Sequence, residues 1–338
     1  MKHGGALRNL CTIGIMLEIG SLRLPSRCVL APLSGISDLP FRMMNRAHGC
    51  EFAFLEMISA RALAYQNSST MEILSSIPED RPLGAQLLGN DPEVLLRALD
   101  VLGDYKFDLL DFNAACPVKK VTGKGEGADL LRHPEKLKKL LTALTSHSPA
   151  PVTVKIRSGW DENSLNAKDI ALCARDAGVA ALFIHGRTRM QGYSGRVDYN
   201  IIRQVKEVID IPVIASGDAL SPQLIRKMFE ETGCDGVAIA RGALGNPWVF
   251  SETAEFLKSG MIPPRPTVEE VLHVMTEHLI SCVDFYGEAA GTMIFRKFFT
   301  WYTRGLPCIK RLRDEAFRAI TLLQMTDLIR KVGNAGEV

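Results

Sequence analysis

The sequence lacks the patterns that would indicate a metal site, a disulfide framework or a membrane span. Its eight cysteines include no CxxC pair and no Cys/His cluster at the spacing of zinc ligands. No apolar run reaches the roughly 18 residues that suggest a transmembrane helix. We therefore expect reduced thiols, no bound metal, no membrane association and a cytoplasmic location.

Two nucleotide-binding signatures are missing as well. No GxGxxG motif opens a helix, so a dinucleotide-binding fold is not supported. The stretch GKGEG (123–127) is not a Walker A motif, because its lysine precedes the final glycine; it could equally be a lid or a plain flexible loop. With 40 Lys and Arg against 38 Asp and Glu, the net charge of +2 neither indicates nor excludes a polyanionic partner.

What the chain does contain is a regular alternation of strand-like and helix-like segments. Eight apolar or β-branched runs alternate with longer amphipathic segments from residue 29 to about 257. The runs are VLAPLSG (29–35), FAFLEM (52–57), LGAQLLG (83–89), LLDFNAA (109–115), VTVKIRSG (152–159), ALFIHGRT (181–188), PVIASGD (212–218) and GVAIARG (236–242). This pattern predicts the α/β class and a closed (βα)8 TIM barrel.

Helix signals agree with the barrel. Segments 92–102, 134–145 and 222–231 each begin with a capping residue or with proline in the first turn. They are predicted as barrel helices.

The sequence changes character after the proline-rich joint GMIPPRP (260–266). Beyond it, apolar residues recur at helical spacing and no strand pattern appears. We predict an N-terminal extension at 1–15 that is poorly ordered, a TIM barrel at 16–259 and a helical domain at 260–338.

Polar or small residues end the predicted strands, and in TIM barrels the chemistry lies at the C-terminal strand ends. They are Pro32, Leu33 and Ser34; Glu56; Gln86; Asn113, followed by Cys116; Lys155 and Arg157; His185 and Arg187; Ser216, Gly217 and Asp218; and Ala240, Arg241 and Gly242. Polar groups within apolar strands are costly unless paired, so a polar ligand is expected. The small residues after strands seven and eight favour a phosphate, with Arg241 supplying positive charge.

The remaining groups suit a flavin. Gln86 can donate to and accept from the edge of a heterocycle, and Lys155 near the ring would stabilise its reduced, anionic form. Lys155 could instead pair with Glu56, and His185 could be a core histidine rather than a phosphate contact. Cys116, with an ordinary pKa of about 8.5, would be mostly protonated and able to give a proton to carbon; a nucleophilic thiolate would need a base that the sequence does not identify.

These motifs closely resemble the tRNA-dihydrouridine synthase family, and most of all its bacterial B-type subgroup. The matching stretches are APLSGISDLPFR, FLEM, PLGAQLLG, DFNAACPVKKVTGKGEGADLL, TVKIRSGW, FIHGRTR, PVIASGD and IARGALGNPWVF. They run in order across nearly the whole barrel, which is far more specific than any single motif. The family fold is an FMN-binding barrel followed by a C-terminal helical domain that helps to hold tRNA, and it agrees with the break near residue 260.

The resemblance implies a mechanism and a set of contacts. NADPH or NADH would reduce FMN, N5 of the flavin would pass hydride to C6 of uracil, and Cys116 would protonate C5. The implied FMN contacts are Pro32, Leu33, Ser34, Gln86, Lys155, His185, Ser216, Gly217, Asp218, Ala240 and Arg241. Two positions depart from the family pattern: Ala115 stands where glycine is usual, and Ser216 where asparagine is usual.

The implied partner is tRNA, whose target base must leave its stack to reach the barrel. A basic rim is predicted from Lys119, Lys120, Lys124, Arg187, Arg189 and Arg196. In FRKFFTWYTRG (295–305) the aromatics should face the core, with Arg296, Lys297 and Arg304 outward; KRLR (310–313) is a second phosphate candidate. No obligate protein partner is evident, and nothing requires more than a monomer.

Two other functions compete with this one. A flavin barrel acting on a free pyrimidine, such as a dihydroorotate oxidase, shares the barrel and a cysteine after strand four but lacks the basic rim and the helical domain. A non-catalytic RNA-binding protein would have kept an empty barrel, and the intact Cys116 and cofactor positions argue against it.

Overall fold

The computed structural model describes residues 16–335, so the predicted extension at 1–15 lies outside the described residues. Eight parallel strands form a closed barrel in chain order, with the last strand paired to the first. They are Cys28–Leu30 (β3), Ala53–Ser59 (β4), Leu83–Leu88 (β5), Leu109–Asn113 (β6), Val152–Arg157 (β7), Ala181–His185 (β8), Val213–Ser216 (β9) and Gly236–Ile239 (β10). The predicted TIM barrel is confirmed.

A two-stranded antiparallel hairpin precedes the barrel, formed by Leu17–Ile19 (β1) and Leu22–Leu24 (β2). Its buried leucine and isoleucine side chains join the apolar cluster inside the barrel. An added Cβ at Gly236, the first residue of β10, would meet the side chain of Leu17. The hairpin therefore covers the N-terminal end of the barrel and leaves the opposite end for chemistry.

Helices surround the barrel between its strands. They are Leu39–Ala47 (α1), Ala60–Ala64 (α2), Ser68–Ile73 (α3), Pro92–Gly103 (α4), Lys119–Thr122 (α5), Pro134–His147 (α6), Ala167–Asp176 (α7), Tyr199–Val208 (α8), Pro222–Thr232 (α9) and Val249–Ser259 (α10), with 3-10 turns at Gly127–Arg132 and Arg241–Ala243. The helix starts expected at residues 92, 134 and 222 are all found. Asp91 and Ser221 cap two of them by accepting N–H groups of the first turn that have no partner within the helix. The prolines at 92 and 222 have no N–H that would need such a partner.

Four further helices follow: Val268–Tyr286 (α11), Glu288–Tyr302 (α12), Lys310–Ala316 (α13) and Leu322–Ala335 (α14). Helices α11 and α12 pack against α1, where the rings of Phe41 and Phe298 stack with centroids 5.6 Å apart. Helix α11 begins with a reciprocal capping box between Thr267 and Glu270. No helix within residues 16–335 combines the length and the apolar character needed to span a membrane.

Candidate active site

The C-terminal end of the barrel opens into a cavity of about 570 Å³. The residues predicted as proton donor and FMN contacts all line it: Cys116 together with Pro32, Leu33, Ser34, Gln86, Lys155, His185, Ser216, Gly217, Asp218, Ala240 and Arg241. A volume of this size is typical of small-molecule and cofactor sites. The barrel therefore brings together residues that are spread over more than 200 positions of the chain.

A buried hydrogen-bond chain runs across the wall formed by β5, β6 and β7. Asp111 accepts from Thr153 Oγ1 at 2.6 Å and from Gln86 Nε2 at 2.7 Å, and Gln86 Oε1 accepts from Asn113 Nδ2 at 2.8 Å. Burial raises the pKa of the Asp111 carboxyl to about 6, although both donors and Lys155 act to lower it. These hydrogen bonds set the orientation of the side-chain amides of Gln86 and Asn113.

Cys116 lies just beyond β6, on a loop that three contacts hold in place. Asn113 Oδ1 accepts from the backbone N–H groups of Ala115 and Cys116 at 3.0 and 2.9 Å. Arg157 Nε donates to the carbonyl of Ala115 at 2.7 Å. Partial burial raises the pKa of the Cys116 thiol, while the N–H of Val118 and the Arg157 charge lower it, so the thiol is protonated near neutral pH.

Ala115 does not restrict this loop. Its backbone stays outside the left-handed region, so a methyl side chain causes no strain there. The position in this region that requires glycine is Gly127, which has a φ of +60° and where an added Cβ would lie 2.8 Å from the carbonyl oxygen of Cys116. The departure at Ala115 is therefore compatible with the position of the thiol.

Lys155 projects from β7 into the cavity wall and has no hydrogen-bond or ion-pair partner among residues 16–335. Burial lowers the pKa of its amine, and the nearby Asp111 carboxylate raises it. The alternative that Lys155 pairs with Glu56 is wrong, because Glu56 Oε2 instead accepts the backbone N–H of Gly35. The amine is left facing the cavity, where an electron-rich ligand would satisfy it.

The far end of the cavity is lined by the loops after β9 and β10. Asp218 holds Arg187 Nη1 at 3.1 Å and Arg241 Nη2 at 2.7 Å, so it fixes two guanidinium groups. The backbone N–H groups of Gly217 and Asp218 have no acceptor within the described part of the chain. Burial, followed by the surrounding cations, lowers the pKa of His185 to about 2, so this imidazole is neutral.

The predicted basic rim needs a correction. Arg187 is only 2% exposed and donates to the carbonyls of Ser194 and Gly195 as well as to Asp218, so it supports the site from within. Arg189 is partly buried and lies over the ring of Trp160, 4.6 Å from its centroid. The other four rim residues are exposed, namely Lys119, Lys120, Lys124 and Arg196.

The helical region reaches the cavity loop of residues 33–38. Lys297 Nζ donates to the carbonyl of Gly35, and Tyr286 Oη donates to Asp38 Oδ2 at 3.1 Å. Lys297 and Arg296 therefore do not point outward as the sequence suggested; Arg296 donates to the carbonyl of Ala319. The aromatics Phe295, Phe298, Phe299 and Tyr302 are buried as predicted, and Arg304 is exposed.

Three residues in or behind the cavity wall carried no signal that identified them as part of the site: Asp111, Thr153 and Tyr193. Asp111 lies within an otherwise apolar run, on the same strand face as Asn113 two residues later. Thr153 carried no motif. Tyr193, 61% exposed, lines the cavity mouth with its ring 5.5 Å from the guanidinium of Arg241. A carboxylate at i−2 from a strand-end asparagine was the one signal available.

Comparison with known proteins gives a consistent result. The profile of the family described as "Dihydrouridine synthase (Dus)" matches residues 29–332. A protein of Rickettsia prowazekii named "Probable tRNA-dihydrouridine synthase" is 38% identical over 300 residues, covering 88% of this chain and 91% of the relative. "tRNA-dihydrouridine synthase B" of Pseudomonas aeruginosa is 37% identical over 312 residues, covering 92% and 93%.

Solved structures share the barrel. The old yellow enzyme homologue from Zymomonas mobilis aligns with a TM-score of 0.56 at 11% identity, covering 77% of this chain and 96% of that chain. The 6-hydroxypseudooxynicotine amine oxidase of Pseudomonas geniculata aligns with a TM-score of 0.57 at 13% identity, covering 83% and 54%. At these identities the likeness extends to the fold alone.

Proposed function

The chain belongs to the dihydrouridine synthase family, as its motifs predicted, and from that premise we propose that it reduces uridines of tRNA to 5,6-dihydrouridine with FMN as its bound cofactor. The observation that carries this proposal is the cavity itself. One space of about 570 Å³ is lined by a protonated thiol, an amine without a partner, and two residues whose backbone N–H groups have no acceptor within residues 16–335.

The residues present fit FMN. The N–H groups of Gly217 and Asp218, with the guanidinium of Arg241 beside them, suit a phosphate. At the other end, the amine of Lys155 suits the electron-rich edge of the ring system. When bound there, reduced FMN supplies a hydride equivalent.

Cys116 is the proposed proton donor to C5 of uracil. Its raised pKa keeps the proton on Sγ near neutral pH, which a general acid requires. The clamp from Arg157 on the Ala115 carbonyl and the two N–H bonds to Asn113 hold the thiol at the cavity wall. These contacts restrict the loop before any substrate arrives.

The remaining contacts in the predicted set have supporting roles in this proposal. Pro32, Leu33 and Ser34 form the first wall of the cavity, and Ser216 donates through Oγ to the carbonyl of Ile184. His185, being neutral, can accept or donate one hydrogen bond without adding charge. Ala240 leaves room for the ligand where a larger side chain would fill it.

The polynucleotide partner is supported by four exposed basic residues, Lys119, Lys120, Lys124 and Arg196, of which Lys120 lines the cavity. A uracil reaches the cavity only after leaving its stack. We propose that residues 260–338 bind the body of the tRNA, and that NADPH or NADH is the external reductant.

The test is dihydrouridine formation by purified protein. The protein, reconstituted with FMN, is incubated with unmodified tRNA and either NADPH or NADH, and nucleosides are quantified by mass spectrometry. Dihydrouridine that depends on FMN and on reductant supports the proposal. Reduction of free uracil or orotate instead would favour the free-pyrimidine enzyme, and tRNA binding without FMN binding would favour an RNA-binding protein.

A further inference from the structure

The hydrogen-bond chain in the cavity wall has a defined direction. An ionised carboxylate only accepts hydrogen bonds, so Asp111 requires donors from both neighbours. Thr153 and Gln86 provide them, and strand pairing places all three side by side, with Asp111 opposite Gln86 on one side and opposite Thr153 on the other. The Asp111 end of the hydrogen-bond chain can therefore only accept.

The other end is an obligate donor. The backbone N–H groups of Ala115 and Cys116 can only donate, so Asn113 must turn its oxygen toward them. Its Nδ2 then points at Gln86, whose oxygen accepts it, which leaves the nitrogen of Gln86 for Asp111. The orientations required by the two ends agree, so each amide has one allowed direction.

Resting on the proposed function, we propose that Asp111 is a positioning residue that fixes the amide directions of Gln86 and Asn113 and thereby holds the Cys116 loop. Asp111 is 1% exposed and touches neither the thiol nor the open cavity. It acts through two side chains on the backbone of Cys116. Its charge also offsets that of the buried Lys155.

The alternative is that Asp111 only fills space in the wall. In that case Asp111→Leu would be tolerated, and Asp111→Asn would be no better than Asp111→Leu. If Asp111 sets direction, Asp111→Asn retains an acceptor for Gln86, provided that its own amide finds an acceptor in Thr153 Oγ1. Asp111→Leu leaves both donors without partners.

Thr153 is thus decisive in the Asp111→Asn variant. Its hydroxyl can accept from the introduced amide nitrogen, so the introduced amide oxygen stays directed toward Gln86. With valine at position 153 that acceptor is gone, so the introduced amide nitrogen competes for Gln86 Oε1 and opposes the direction that the N–H groups of Ala115 and Cys116 impose. The fold-change in activity of the double variant should therefore be larger than the product of the fold-changes of Asp111→Asn and Thr153→Val measured separately.

The experiment measures three quantities on the FMN-bound protein. They are kcat and KM for dihydrouridine formation, the urea midpoint, and the rate at which iodoacetamide alkylates Cys116, followed by mass spectrometry of its peptide. The alkylation rate needs no turnover, so it tests the loop even if the proposed reaction is wrong.

In Asp111→Leu we expect kcat to fall about 10- to 100-fold with KM little changed, and alkylation of Cys116 to rise about threefold or more as the loop loosens. Asp111→Asn should restore both values to within about threefold of wild type, and Asp111→Asn/Thr153→Val should lose them again. Wild-type alkylation and kcat in folded Asp111→Leu, or additive effects in the double variant, would overturn the proposal. If Asp111→Leu does not fold, the comparison of Asp111→Asn and Thr153→Val with the double variant decides.

Discussion

Asp111 makes a testable prediction about stability as well as about catalysis. Burial raises the pKa of its carboxyl from 3.8 to about 6 in the folded protein. A carboxyl with a raised pKa binds protons more tightly in the folded state than in the unfolded state. Its contribution to stability is therefore fully present below pH 3.8, and it is lost as the pH rises through 6.

The magnitude follows from the size of the shift. Each pKa unit corresponds to about 1.4 kcal/mol, so the full cost of ionising Asp111 in the folded state approaches about 3 kcal/mol above pH 7. About 1 kcal/mol of that cost is already present at pH 4.5, where the unfolded carboxyl is mostly ionised. Between pH 4.5 and pH 7.5, wild type should therefore lose about 2 kcal/mol relative to Asp111→Asn.

The assay is urea unfolding of both proteins at the two pH values, followed by tryptophan fluorescence. Titrating groups that do not interact with Asp111 are common to the two proteins, so their contributions cancel in the difference. If the difference in unfolding free energy between the two proteins stays constant with pH, the claim that Asp111 is buried and has a raised pKa is refuted. A change of the opposite sign would mean that the contacts from Thr153, Gln86 and Lys155 outweigh burial.

Two further predictions concern the walls of the cavity. Gly217→Ala would place a Cβ 2.7 Å from the imidazole of His185, at a φ of +110° that favours glycine. We therefore expect the affinity for FMN, measured by fluorescence titration, to fall at least about tenfold. The control Gly103→Ala, which adds a methyl group in open space, should bind FMN normally. Lys297→Met removes the side chain that donates to the Gly35 carbonyl and so loosens the cavity loop of residues 33–38. FMN should therefore dissociate faster, while the urea midpoint changes little. An unchanged dissociation rate would contradict a role for α12 in holding that loop.

The barrel could be predicted from the sequence because its signal is local and repeated. The apolar runs begin 23 to 43 residues apart, prolines mark three of the helix starts between them, and each signal is visible without knowledge of the others. Strand ends were the weak point. Residues 31–35 are as apolar as a strand, yet β3 ends at Leu30, because the chain there leaves the ladder to form the cavity wall.

Contacts between distant residues could not be predicted in the same way. Arg187 looked like a surface cation, and only the fold shows that Asp218, 31 residues later, holds it in the interior. Lys297 and Gly35 are 262 positions apart. Nothing in either local sequence indicates the other, so helical spacing and charge together placed Lys297 on the surface.

The measurement that tests the central claim most directly is the effect of Cys116→Ala, with Cys308→Ala as the matched control at an exposed cysteine. Both variants are assayed for bound FMN, for NADPH oxidation and for dihydrouridine in tRNA. We predict that Cys116→Ala keeps FMN and NADPH oxidation but forms dihydrouridine at least about 100-fold more slowly, the usual contribution of a general acid, while Cys308→Ala behaves as wild type. Dihydrouridine formed at the wild-type rate by Cys116→Ala would contradict the account.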